Sequence, residues 1–136
     1  MKHIKSVTRA WQALSVLVVL ALFATASRDA EATDFVRVRV ATAADVPEGS
    51  AAVVEVGGIA IALFHRPEGW FAIENTCTHR GGPLGEGALS ADTVECPWHG
   101  AHFNVKTGAV TSPPAPTGVR SFPVKVERND VLVEID

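Results

Sequence analysis

Cys77-Thr78-His79-Arg80-Gly81-Gly82-Pro83-Leu84 and Cys96-Pro97-Trp98-His99-Gly100-Ala101-His102-Phe103 are the two stretches on which the reading of this chain turns. Sixteen residues separate His79 from Cys96. Cys77 and Cys96 are the only cysteines among 136 residues. Each is followed by a histidine, two residues on in the first stretch and three in the second. Two thiolates and two imidazoles are thereby brought together on two loops. A [2Fe–2S] cluster in which two histidines replace two cysteines on one iron needs that ligand set. Thiolates are soft ligands that suit iron–sulfur clusters, and neutral imidazole also suits iron. One iron can therefore take Cys77 and Cys96, and the other His79 and His99. Exchanging two thiolates for two neutral imidazoles removes two negative charges, which raises the reduction potential.

Two plainer readings compete. Cysteine and histidine in a tetrahedral array also suit a structural zinc ion. Zinc spacings run to roughly two to four residues within a cysteine pair and three to five within a histidine pair. Cys-x-His with Cys-x-x-His fits neither. A single Cys77–Cys96 disulfide is the other alternative, and export would favour it. It leaves the two matched histidines unexplained.

Outward from the loops, the sequence reads as short strands. Phe35-Val36-Arg37-Val38-Arg39-Val40 alternates apolar and charged residues, the period of a half-buried strand. Residues 51–56 and 59–65 flank Gly57-Gly58, which predicts a tight hairpin. Residues 70–73 lead into the first ligand loop and 93–95 into the second, and the stretch from Gly81 to Gly87 reads as irregular. Residues 101–105, 108–111, 120–126 and 131–135 complete the run, with Asn129-Asp130 as the last hairpin turn. No segment beyond residue 35 keeps helical periodicity for three turns. Closely spaced short strands with Gly and Pro turns predict an all-β antiparallel sandwich or barrel.

The first third differs in kind. Lys2, Lys5 and Arg9 precede an almost wholly apolar run over residues 13–26, which ends in the small-x-small site Ala24-Thr25-Ala26. That is the layout of a secretory signal peptide, and the run is short for a membrane span, which takes about 20 residues. Residues 1–33 are therefore set apart as a signal-like or membrane-anchor leader, and residues 34–136 as the domain. The domain holds 8 Lys and Arg against 13 Asp and Glu, a net charge of −5. An acidic balance argues against a nucleic-acid partner and suits a carrier that meets basic patches on other proteins.

With their neighbours, the two cysteine–histidine segments resemble the Rieske domain, and the resemblance runs over roughly residues 35–136. Pro113-Pro114 stands in the place of that family's proline loop. The chain is most similar to the small Rieske-type ferredoxins that feed electrons to aromatic-ring dioxygenases. The resemblance implies a fold of three stacked antiparallel sheets, a sandwich of small sheets with the cluster held by two loops at one tip. It implies one [2Fe–2S] cluster per chain, with Cys77 and Cys96 on the buried iron and His79 and His99 on the outer one. Departures from the respiratory members of the family are informative. Those carry an extra cysteine after each ligand segment, where this chain has a residue at or near Leu84 and Trp98. They also place a serine and a tyrosine after the second histidine, whose hydroxyls bond the cluster sulfurs. Here Ala101 and Phe103 stand there, and the chain has no tyrosine. Donors to the sulfurs stabilise the reduced cluster, so their absence predicts a potential near the low end of the Rieske range, about −150 mV.

The expected function is one-electron transfer, not catalysis. The implied partners are an NAD(P)H-dependent flavin reductase and a terminal oxygenase. A terminal oxygenase would itself need a mononuclear iron held by two histidines and a carboxylate, and no histidine follows His102. The alternatives are a Rieske-like small subunit of a nitrite reductase and a zinc-stabilised module. Gly81, Gly82 and Gly100 are expected in the loops, and Pro83, Leu84, Trp98 and Pro113 as shields or ordinary packing. His102 is expected on a strand as a non-ligand, His65 and Arg80 at the surface. Export of a folded cluster protein would need a twin-arginine signal, and Arg9 stands alone. The expectation is a cytoplasmic domain, with anchoring or export through residues 1–33 as alternatives, or a true start near Val36.

Overall fold

The computed structural model describes residues 35–136, so the leader read over residues 1–33 lies outside the described residues. Eleven strands form three antiparallel sheets. In the first, β1 (Val36–Thr42) and β10 (Val124–Glu127) flank β11 (Asp130–Ile135). The middle sheet runs β2 (Ala51–Val56), β3 (Ile59–Arg66), β4 (Gly69–Glu74), β9 (Ser121–Phe122). The third runs β5 (Ala88–Ser90), β6 (Thr93–Glu95), β7 (His102–Asn104), β8 (Val110–Ser112). Only single 3₁₀ turns, at Ala43–Asp45 and Leu84–Glu86, interrupt the strands among the described residues.

β3 explains the stacking. Ile61, Ala62, Leu63 and Phe64 are all buried, where a one-faced strand would alternate. Successive side chains of a strand point to opposite faces, and here both faces are covered. Ala62 and Phe64 join one core with Ile73, Leu84, Val94, Phe103, Val105 and the two cysteines. Ile61 and Leu63 join the other, with Val46, Ala72, Phe122, Val131 and Val133. The middle sheet is thus a shared wall, and Cys77 and Cys96 are part of the core on one side of it.

β1 keeps the alternation read from sequence. Val38 and Val40 are half-buried, while Arg37 and Arg39 face water. Arg37 lies opposite Glu134 in the ladder and donates to it at 2.8 Å, and Arg39 reaches Asp130 at 2.7 Å. Gly57 and Gly58 both have positive φ, 58° and 82°, the requirement of the two-residue turn that joins β2 to β3.

Three details differ from the sequence reading. The last hairpin turns at Arg128-Asn129, one residue earlier, with Glu127 paired to Asp130. A one-residue slip would send Val131 and Val133 out of the core. The stretch read as one strand over 120–126 is two, because Pro123 has no N–H to give a ladder. β9 pairs with β4 and β10 with β11, so the break carries the chain from the middle sheet to the first. β5 is too short for its alternation to show in the sequence. Behind the third sheet, Lys106 binds Glu68 at 3.3 Å and Asp92 at 3.1 Å and lies 5.4 Å over the ring of Phe71, joining it to the middle sheet.

Candidate metal centre

Each ligand segment folds as the same closed loop. The Cys77 carbonyl accepts from the Gly81 N–H at 2.8 Å, and the Cys77 N–H donates to the Gly82 carbonyl at 2.9 Å. The Cys96 carbonyl accepts from the Gly100 N–H at 3.1 Å, and the Cys96 N–H donates to the Ala101 carbonyl at 2.7 Å. The fifth residue is a glycine in both, at φ 81° and 74°, a conformation that costs other residues strain. Only the offset of the histidine differs.

The two loops meet. A Cβ added to Gly82 would lie 2.6 Å from the Cys96 sulfur and 3.1 Å from the Trp98 ring. Both cysteines are free thiols, buried to 2% and 3% exposure. Burial pushes the Cys77 thiol up, and the Cys96 thiol within hydrogen-bonding reach adds to this. The backbone N–H groups of His79 and Arg80 act the other way, since they favour a thiolate. On the same two loops, the rings of His79 and His99 stand edge to face with centroids 4.7 Å apart. Burial lowers the His79 pKa, and His99 and Arg80 lower it further, which favours the neutral imidazole that a metal needs. His79 Nδ1 is shut off from solvent and has no hydrogen-bond partner.

These features fit a binuclear group. The donors fall into a soft thiol pair inside and an imidazole pair outside, and one ring nitrogen, His79 Nδ1, is buried without a partner. Among the described residues no three His, Cys, Asp or Glu side chains converge on a single ion. The four side chains read from sequence are two like pairs, the thiols buried and the imidazoles less so.

Several supporting residues escaped the sequence reading. Asn75, directly after β4, is 8% exposed. Its Oδ1 accepts from the Gly85 N–H at 2.7 Å and its carbonyl from the Leu84 N–H at 2.8 Å, which fastens the far end of the first loop. A Cβ at Gly85 would meet Val53 at 2.5 Å, so that approach requires glycine. The Thr78 hydroxyl donates to the Thr117 carbonyl at 2.6 Å and ties the first loop to the proline-rich loop. Pro113 and Pro114 are exposed, and Ala115 is the residue of that loop packed with the cysteines. Trp98 is 56% exposed, its inner face over Gly82. Asn104 acts within its own turn, where its Oδ1 accepts from the N–H groups of Lys106 and Thr107 and shapes the β7–β8 connection.

The remaining histidines stand apart. His102 lies on β7, as expected, with Nε2 3.6 Å from the carboxylate of Glu95. His65 is not simply at the surface. It is half-buried, stacked on Trp70 at 4.0 Å, and its Nδ1 donates to the Val46 carbonyl at 2.8 Å. Arg80 is exposed.

Comparison with known proteins agrees with this geometry. The family model for the Rieske [2Fe-2S] domain matches residues 36–123. A 3-phenylpropionate/cinnamic acid dioxygenase ferredoxin subunit from Escherichia coli (strain K12) is 38% identical over 100 residues, which are 73% of this chain and 93% of that protein. Among solved structures, the ferredoxin of carbazole 1,9a-dioxygenase from Nocardioides aromaticivorans IC177 is similar with a TM-score of 0.68 and 33% identity, over 71% of this chain and 95% of that one. A chain in the complex of reduced oxygenase and oxidized ferredoxin in carbazole 1,9a-dioxygenase is similar with a TM-score of 0.67 and 37% identity, over 71% and 91%.

Proposed function

The chain belongs to the Rieske [2Fe-2S] domain family, and on that premise we propose that Cys77, His79, Cys96 and His99 hold its cluster. The protein is a ferredoxin, an electron carrier and not an oxygenase. When bound, the [2Fe–2S] group supplies a one-electron couple. The protein's own residues set its surroundings. Cys77 and Cys96, buried in the core, supply the thiolates, and the first loop turns the backbone N–H groups of His79 and Arg80 toward the Cys77 sulfur. His79 and His99 supply neutral imidazoles at the outer side, where His99 is exposed and His79 half-buried. A partner protein therefore approaches the imidazole pair. The observation that carries the assignment is the grouping of two like pairs, imidazoles with centroids 4.7 Å apart on the same two loops that hold two free buried thiols.

The relative found in complex with an oxygenase supports a terminal oxygenase as electron acceptor. An NAD(P)H-dependent flavin reductase is the proposed donor, since a one-electron carrier needs a source that divides a hydride into single electrons. Residues 34–136 form the proposed working domain, with the cytoplasm as its proposed compartment. Among the described residues no helix is long and apolar enough to cross a membrane.

Electron paramagnetic resonance of the dithionite-reduced full chain tests the assignment. A rhombic signal with an average g below the free-electron value, absent from Cys77→Ser and His99→Ala variants, is the expected result. A colourless, silent sample holding about one zinc ion per chain overturns it.

A further inference from the structure

We propose that Glu95 and Arg80 set the reduction potential of the site with opposite sign, the carboxylate lowering it and the guanidinium raising it. This rests on the ligand assignment above. Glu95 ends β6 and immediately precedes Cys96. Strand alternation sends Val94 into the core and the Glu95 side chain outward, where it is 52% exposed. The side chain does not simply extend into water. One carboxylate oxygen lies 3.4 Å from the point that a Cβ on Gly100 would occupy, and the other lies 3.6 Å from His102 Nε2 on the neighbouring strand. The carboxylate is thereby folded along the second ligand loop, and it lines the same groove as Cys96, Trp98 and His99.

Arg80 stands on the first loop, directly after His79. It is exposed and pairs with no acid among the described residues. One loop thus carries a fixed negative charge and the other a fixed positive one. Reduction adds an electron to whatever the two loops hold. A neighbouring carboxylate raises the energy of that more negative state, and a neighbouring guanidinium lowers it. Both groups reach water, so both effects are screened by salt. A change of loop shape would not be.

The experiment is a redox titration of the loaded full chain, followed by paramagnetic resonance at fixed pH. Wild type, Glu95→Gln and Arg80→Gln are titrated at ionic strengths of about 0.01 M and about 1 M, where the screening length falls from about 30 Å to about 3 Å. The expected result is an upward shift for Glu95→Gln and a downward shift for Arg80→Gln. Both keep the wild-type line shape and shrink at high salt. Glu95→Asp, which keeps the charge, stays nearer wild type than Glu95→Gln. No shift, two shifts of the same sign, or shifts indifferent to salt overturn the inference and leave the carrier reading intact. Should Glu95→Gln fail to take up the cluster, the direction of the Arg80→Gln shift decides. A wild-type sample without the signal overturns the carrier reading and this inference with it.

Discussion

The two ligand loops share a backbone and differ in what surrounds it. Both close by the same pair of hydrogen bonds about the cysteine, with a left-handed glycine in the fifth place. Both sulfurs end buried. Beyond that frame they part. The first loop is pinned at two points, through Asn75 to Gly85 and through Thr78 to Thr117, and its histidine is half-buried. Pro97, Trp98 and His99 of the second loop all face water. A common frame sets the sulfurs, and one residue of difference in histidine offset goes with a difference in exposure. Burial belongs to the thiols and access to the imidazoles, which is the division that an electron carrier needs.

The largest effect tests the shared frame. Cys77→Ser and Cys96→Ser should each abolish cluster uptake, seen as loss of iron, of colour and of the reduced-state signal. Equal losses support equivalent roles, and a loaded variant of either would break the parallel.

The glycines sharpen the comparison at the next level. Gly82→Ala would press a methyl group against the Cys96 sulfur and the Trp98 ring. We expect a loss of about 3 kcal/mol in denaturant unfolding and reduced iron content, since overpacking a filled site costs this order. Gly100→Ala meets only the flexible Glu95 carboxylate at 3.4 Å, and its main cost is the left-handed backbone. About 1 kcal/mol is expected there. A reversed order would show that the loops do not meet at Gly82.

Smaller again is the tether. Thr78→Val removes the hydrogen bond to Thr117 and keeps the shape of the side chain. A loss of about 1 kcal/mol is expected, together with faster amide exchange in residues 113–118. Unchanged exchange would mean that the first loop is held by Asn75 alone.

The smallest effect concerns the support behind the third sheet. The Lys106 ammonium, 3.1 Å away, holds the Asp92 carboxyl below its ordinary range. A folded-state value below the unfolded one means that the unfolded chain binds the proton more readily. The contribution of Asp92 to stability is therefore present above about pH 4 and is lost as pH falls through the lower folded value. Asp92→Asn should flatten the dependence of the melting temperature on pH in that acid range and leave it unaltered near neutrality. An identical acid limb in variant and wild type would remove Asp92 from the account.

Legibility followed the range of the interaction. The alternation over 37–40, the Gly57-Gly58 turn and the placing of the two cysteine–histidine segments on loops are local patterns, and each stands in the structure where its residues predict it. The break at Pro123 was legible in principle, because a proline without an N–H inside a strand is a warning. Asn75 and Thr78 carried no comparable mark. A threonine in a loop is ordinary until the carbonyl of Thr117, 39 residues away, is seen beside it. His65 read as a surface residue because Trp70, its stacking partner, comes from the opposite strand of the hairpin.

Residue chemistry and spacing were enough to single out two thiols and two imidazoles as the proposed ligand set and to predict an all-β domain, since both are encoded within a few consecutive residues. Which donor faces which was decided only by tertiary structure. The sorting of cysteines into a core behind the middle sheet and histidines to the outside, the meeting of the loops at Gly82, and the lie of Glu95 along Gly100 all depend on contacts between separate strands and loops. Such contacts arise from packing the sheets together, and no local pattern in the chain records them.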